Sequence, residues 1–258
     1  MPKPFATDTS RTAPLAGKAA LITGAARRVG AAIARTLHSA GASVVLHYRS
    51  SADEAAALAQ DLNDARPGSA TLAPCDLLDS VALTRLAHAA TMAFGGLDIL
   101  INNASSFYPT PLGSIDEQNW NDLIGTNLKA PLFLAQAAAA ALRERSGLIV
   151  NLADIHGMRP LRHHPVYCVA KAGLIMLTKS LARELGPEVR VNAIAPGPVM
   201  WPEDGVDATL RDEIIDRTAL KRTGSPEDVA RAVLFFASAA PFVTGQILAI
   251  DGGRSIGW

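Results

Sequence analysis

The sequence predicts an α/β protein, a single domain built on a doubly wound parallel sheet. Three observations carry that expectation. Short β-branched runs recur along the chain, alanine-rich helical stretches separate them, and a glycine turn follows the first run directly. Strands separated by helical crossovers return in the same direction, so the helices cover both faces of a parallel sheet. With 258 residues, 49% of them hydrophobic, the chain is long enough to bury one large core.

The first strand is expected over residues 18–23. Thr23-Gly24-Ala25-Ala26-Arg27-Arg28-Val29-Gly30 then opens a helix, where backbone N–H groups and the helix dipole favour a pyrophosphate. On the first βα turn of such a sheet this pattern points to a dinucleotide held in a Rossmann-like manner, although a tight turn alone would also use these glycines. Arg28 stands where the middle glycine of the fingerprint usually lies, which projects a guanidinium toward the phosphates or the substrate. The second strand, 42–48, ends in His47-Tyr48-Arg49-Ser50. NAD enzymes place an acid there for the ribose hydroxyls; here the planar fork of Arg49 and the hydroxyl of Ser50 suit a 2′-phosphate, so NADPH is expected. An ordinary solvated arginine is the other reading of Arg49.

A third strand over 69–73 leads to Asp76 and Leu77 at the cofactor's adenine end. Asp76 could accept from the adenine amino group, and equally could help cap the helix that begins near Asp79. The fourth strand, 97–101, runs into Asn102-Asn103-Ala104-Ser105. The alanine run at 135–141 reads as helix. The fifth strand, 147–152, precedes Asp154, and Tyr167 opens an amphipathic stretch that continues to Leu185. A sixth strand over 189–194 enters the least regular part of the chain, about 196–225, which holds Pro196, Gly197, Pro198, Trp201, Pro202 and Gly205 and is a candidate substrate lid. The seventh strand is expected over 246–250.

Formal net charge is zero, so electrostatic capture of nucleic acid or of an anionic membrane surface is not expected. The expected partner is a small molecule. Cys75 and Cys168 have neither metal-ligand spacing nor the density of a disulfide framework, which fits a reducing, cytoplasmic setting. No stretch reaches transmembrane length, and residues 1–16 are expected to form a loose arm before a catalytic domain spanning 17–258. His156, His163 and His164 lie near Tyr167 without completing a metal ligand set.

The most informative feature is Tyr167-Cys168-Val169-Ala170-Lys171. A phenol with a pKa near ~10 is a poor proton donor or acceptor at neutral pH unless a nearby cation stabilises its anion, and Lys171 can supply that cation. Four residues apart on a helix, the two side chains share one face. At the end of a strand in an open α/β sheet, that is where ligands bind.

Taken together, the 23–30 turn, Asn102-Asn103-Ala104, Asn127, Tyr167-x3-Lys171, Pro196-Gly197 and Asp251-Gly252-Gly253 resemble the short-chain dehydrogenases/reductases over residues 17–253. Within that superfamily the chain most resembles the pteridine reductases. Arg28, His47-Tyr48-Arg49-Ser50, the run Asn102–Leu112 and Asp154 carry that likeness, and Asp154 occupies a position where most enzymes with the Tyr-x3-Lys motif have serine. The resemblance implies that Gly24, Arg28, Val29, Gly30, His47, Tyr48, Arg49, Ser50, Asp76, Leu77, Asn103, Ala104, Ser105, Tyr167, Lys171, Pro196 and Gly197 border the cofactor. Asn127 would hold a water chain to Lys171, and Lys171 would bind the nicotinamide ribose and lower the pKa of Tyr167.

By the same resemblance, a pterin or folate ring would lie between the nicotinamide and Phe107. Ser105 and Arg28 would reach its polar edge, and Asp154 with Tyr167 would form the proton relay. Phe107 could instead be core, Asn127 could bond only its own helix, and Asp154 could only cap a turn. The rival functions are a carbonyl reductase of the same fold and an NADP-binding regulatory protein without turnover. The resemblance also implies a homotetramer in which Trp258 could reach a neighbouring site; Met200 and Trp201 match no motif.

Overall fold

A period of two in burial explains the sheet. Ala20 and Ile22 of the first strand pack with Val44, Leu46, Ile99 and Ile101 on one face, whereas Leu21 packs with Val45, Leu100 and Ile149 on the other. Both faces are therefore apolar, as a sheet covered by helices on each side requires. Each fully buried Leu or Ile contributes about 1.5–3 kcal/mol.

The computed structural model describes residues 13–201 and 207–256. Its strands are β1 Ala19–Ile22, β2 Ser43–Tyr48, β3 Ala70–Pro74, β4 Ile99–Asn102, β5 Leu148–Leu152, β6 Arg190–Pro196 and β7 Ile247–Ile250. They form one parallel sheet in the order β3-β2-β1-β4-β5-β6-β7. All seven expected strands are present, within a residue or two at their ends, and the doubly wound α/β architecture is as the sequence predicts. The order reverses between β1 and β4, which opens a crevice at the carboxyl ends of those strands.

Helices α1 Arg28–Ser39 and α8 Pro226–Ser238 cover one face; α3 Ser80–Ala93 and α5 Ala130–Glu144 cover the other. Helix α2 Ala52–Ala65 lies against β2 and β3, and α6 Pro165–Leu185 lies against β6. Between α4 Glu117–Ile124 and α5 the ladder widens into a π-helical turn, Gly125–Lys129, marked by the Ala130 N–H donating to the Gly125 carbonyl. Such turns concentrate at functional sites.

Two expectations need correction. The loose arm does not extend through residue 16, because Leu15 is buried in the core and its N–H donates to the Ala40 carbonyl at 2.8 Å; residues 1–12 lie outside the described ones. The stretch expected as a lid loop, 196–225, contains helix α7 Ala208–Asp216, capped by the Asp207 carboxylate, which accepts from the Thr209 and Leu210 N–H groups. Asp at an N-cap satisfies backbone donors that would otherwise be orphaned, so a helix starts where the surrounding prolines and glycines suggest none. Pro202, Gly205 and Trp258 lie outside the described residues. Among the described residues no helix is long and apolar enough to cross a membrane.

Candidate active site

The glycine turn is built by close packing rather than by flexibility. Gly24 has φ +62°, and a Cβ on Gly30 would lie 2.1 Å from the Gly24 carbonyl oxygen. The Asn103 amide donates to the Thr23 and Gly24 carbonyls at 2.8 and 3.0 Å, while the Thr23 hydroxyl accepts from the Asn103 and Ala104 N–H groups. His47 completes the brace. Its Nδ1 accepts from the Gly24 N–H at 3.0 Å, which leaves Nε2 to donate to the Cys75 carbonyl at 3.1 Å. Burial pushes its pKa down to about 4, so the ring is neutral, as this tautomer requires. The cofactor contact expected of His47 is thereby limited, since both ring nitrogens are spent inside the protein and only its carbon edge can face a ligand.

This turn, with the amino terminus of α1, forms one wall of a cleft of about 390 Å³ at the switch point. Gly24, Arg28, Val29, Gly30, His47, Tyr48, Arg49, Ser50, Asp76, Leu77, Asn103, Ala104 and Ser105 all line it. Ala26, Arg27, Ser51, Ser106 and Thr126 line it as well; their place beside motif residues was the available signal. Pro196 and Gly197 fall outside this lining, and Gly197 packs on Asp251, whose β-carbon would lie 2.6 Å from an added Cβ. Asp76 accepts from the Leu78 N–H in a turn, while the cap of α3 is Asp79.

Arg28 has φ +54°, a left-handed backbone conformation that favours glycine, and its guanidinium donates to the Trp201 carbonyl at 3.1 Å across the cleft. Arg49 and Ser50 are exposed on its rim. The donors present fit a phosphorylated dinucleotide. A helix amino terminus, a turn with no room for a β-carbon and a guanidinium at the end of β2 supply what a pyrophosphate and a 2′-phosphate need.

Beside the cleft, the structure brings Tyr167 and Asp154 together. The phenol donates to Asp154 Oδ2 at 2.8 Å, and Asp154 Oδ1 accepts from the His156 N–H at 2.7 Å. The carboxylate therefore does both things the sequence left open: it caps the short turn Ile155–Gly157 and it partners the phenol. Burial, reinforced by the Asp154 charge, holds the Tyr167 pKa well above its usual value. Lys171 is itself almost fully buried, and burial lowers its pKa to about 8 while Asp154 opposes that shift. Its ammonium donates to the Leu152 carbonyl at 2.8 Å and stands 5.6 Å from the Tyr167 ring centroid. The expected lowering of the phenol pKa by Lys171 does not appear, because desolvation and a nearby carboxylate both favour the protonated phenol.

Asn127 lies in the π-helical turn and is buried. It accepts from the Ser105 hydroxyl at 2.6 Å and donates to the Ser106 and Leu123 carbonyls, each at 2.9 Å, so it bonds its own helix and the 103–107 loop at once. Phe107 is 48% exposed, which removes the core reading. Its ring meets Tyr167 edge-on at 4.8 Å and lies parallel to the His164 ring at 4.8 Å. Among the described residues no group of three or more His, Cys, Asp or Glu side chains could hold a metal ion.

A family model described as enoyl-(acyl carrier protein) reductase matches residues 24–255. The chain belongs to that family of short-chain dehydrogenases/reductases. This short-chain dehydrogenase/reductase is 38% identical to pteridine reductase 1 of Leishmania tarentolae over 96% of its own length and 98% of that protein's. It is 35% identical to the 3-oxoacyl-[acyl-carrier-protein] reductase of Staphylococcus aureus strain Mu50, over 92% and 97%. Among solved structures, a blue fluorescent protein from a metagenomic library, in complex with NADPH, superposes with a TM-score of 0.88 at 32% identity, covering 93% of this chain and 99% of that one. Membership of the oxidoreductase superfamily is thus shown, and the relatives divide between a pteridine reductase and 3-oxoacyl reductases.

Proposed function

We propose that this oxidoreductase uses NADPH to reduce a C=N bond of a pterin- or folate-like ring. The observation that carries the reading is the Tyr167–Asp154 hydrogen bond at 2.8 Å beside a half-exposed aromatic ring. When bound, NADPH supplies the hydride. Gly24, Gly30 and the start of α1 would receive its pyrophosphate, and Arg49 with Ser50 its 2′-phosphate.

Reduction of a C=N bond requires a proton at nitrogen. Tyr167, kept protonated, is a donor of the right kind; its O–H is turned to Asp154, and a ring whose N–H groups took that carboxylate would free the phenolic proton for the acceptor nitrogen, leaving a phenolate beside the Lys171 ammonium. A carboxylate retains acceptor capacity after two hydrogen bonds, so Asp154 can also take N–H donors of an aminopyrimidine ring. Next to a ketone the same carboxylate would oppose the negative charge developing on oxygen. Phe107 gives a flat ring a stacking surface.

A second reading has its own support. Several of the similar proteins are 3-oxoacyl-[acyl-carrier-protein] reductases and the matching family model carries an acyl-reductase description, so the comparisons favour a carbonyl substrate at least as well as a pterin. NADPH oxidation by the purified protein with dihydrobiopterin, dihydrofolate, folate, a 3-oxoacyl thioester and simple ketones separates the two, run beside Asp154→Ser. Turnover on pterins that Asp154→Ser loses supports the first reading. Turnover on the carbonyl panel with inert pterins establishes the second. A homotetramer accompanies either reading through family likeness alone, and light scattering checks it.

A further inference from the structure

Phe107 is an exposed aromatic on a stretch without regular structure, between β4 and α4. Such a ring ordinarily turns about two soft side-chain torsions. Here it does not stand alone. The His164 imidazole lies 4.8 Å from it with only 11° between the ring planes, and Tyr167 meets it at 74°.

His164 is in turn fixed from several sides. Its Nδ1 is bonded to the Arg162 carbonyl at 2.8 Å, its N–H donates to the Leu161 carbonyl, and its own carbonyl accepts from the Cys168 N–H in the first turn of α6. The residue before it, His163, takes a left-handed φ of +64° and accepts from the Thr110 N–H at 2.6 Å, which straps the 159–164 segment to the Phe107 segment a second time. A non-glycine residue holds that conformation only where its surroundings impose it. The Leu161 N–H donates to Cys168 Sγ at 3.3 Å, anchoring the same segment to the helix that carries Tyr167.

We propose that His164 is a positioning residue that sets the ring plane of Phe107 and thereby selects flat heteroaromatic substrates over aliphatic ones. This rests on the pterin reading. With His164 stacked on it and Tyr167 at 74° to it, the exposed part of the Phe107 ring is a platform of fixed tilt, and Tyr167, in contact with the same ring, keeps its hydroxyl in a constant relation to whatever lies there. A substrate without a flat ring gains nothing from the platform.

The test compares wild type, His164→Ala and His164→Phe, each saturated with NADP⁺ and titrated calorimetrically with dihydrobiopterin, alongside steady-state kinetics. Removing the stack is expected to weaken ring binding and raise its KM roughly 3- to 10-fold, the scale of one lost aromatic pair. The kcat and the affinity for NADPH should stay within about twofold, and the KM for an aliphatic ketone should not move. His164→Phe should restore wild-type binding, because the platform needs a flat ring and not an imidazole. The proposal alone is overturned if wild type binds dihydrobiopterin and His164→Ala binds it equally well, if His164→Phe fails to restore binding while its NADPH affinity is intact, or if ketone and pterin KM rise together. Absence of dihydrobiopterin binding by wild type overturns both this proposal and the pterin reading.

Discussion

Acidification should dismantle the glycine turn through His47. Folded, its pKa lies at about 4 because the ring is buried; unfolded, it returns to the ordinary histidine value of about 6.5. The unfolded chain thus binds this proton at a higher pH than the folded one. The stabilisation from the neutral ring is complete above pH ~6.5 and is lost as pH falls through the folded value near ~4. Between pH 7.5 and pH 4.5 the difference corresponds to about 2–3 kcal/mol. The geometry says why the folded chain refuses a proton that the unfolded chain accepts: a protonated Nδ1 would be a donor facing the Gly24 N–H at 3.0 Å, and two donors would oppose each other where one bond holds the turn. Denaturant unfolding across that range, for wild type and for His47→Asn, measures it. Asparagine can accept from Gly24 and donate to Cys75 without titrating. Buried His38, whose pKa is also lowered by burial, titrates in both proteins and cancels from the comparison. Wild type should lose about 2–3 kcal/mol more than the variant on going to pH 4.5, while its affinity for NADPH should fall only as pH approaches 4, where the folded ring itself takes the proton. Identical pH dependence in the two proteins would refute the reasoning.

Three further outcomes are expected. Lys171→Met should be at least as stable as wild type at pH 7, because it removes a buried ammonium whose depressed pKa corresponds to about 3 kcal/mol, against about 1–3 kcal/mol for leaving the Leu152 carbonyl unpaired; turnover should fall by at least roughly a hundredfold, as thermal unfolding and kinetics together would show. Arg49→Asp should raise the KM for NADPH by roughly a hundredfold while sparing NADH, read from kinetics with each cofactor. Gly30→Ala should abolish measurable NADPH binding in a fluorescence titration, since the new methyl would sit 2.1 Å from the Gly24 carbonyl oxygen and the turn must move to admit it.

The strands were legible because burial on both faces forces continuous β-branched runs, and 43–48 or 148–152 can be read as little else. The cleft was legible for a similar reason, since its residues follow strand ends at fixed offsets. What the sequence did not reveal was partner choice. Nothing in His47-Tyr48-Arg49-Ser50 distinguishes a histidine that meets a ligand from one that holds a glycine turn, because Gly24 and Cys75 come together only once β1, β2 and β3 are side by side. Lys171 looked like a free cation for the same reason; its burial and its bond to Leu152 belong to the packing of α6 on β5 and β6. Helix α7 was hidden by the prolines and glycines before it, which outweighed the single capping signal of Asp207.

The π-helical turn at Gly125–Lys129 has a mechanical consequence. One additional residue in an α-helical ladder offsets everything downstream by about 100° around the axis. A single shaft therefore serves two bearings: ahead of the offset, Leu123 packs with Val166 and Tyr167; beyond it, Ala130, Leu134 and Ala138 press into the core under the sheet. Substituting a side chain along the shaft alters one contact. Deleting one residue from 125–129 would remove the offset along with the residue, returning the ladder to α-helical pitch with both bearings in line, and the loss would fall on the wide turn that carries Asn127; a residue deleted from 130–138 has no such turn to absorb it and would rotate the core-facing side chains out of line.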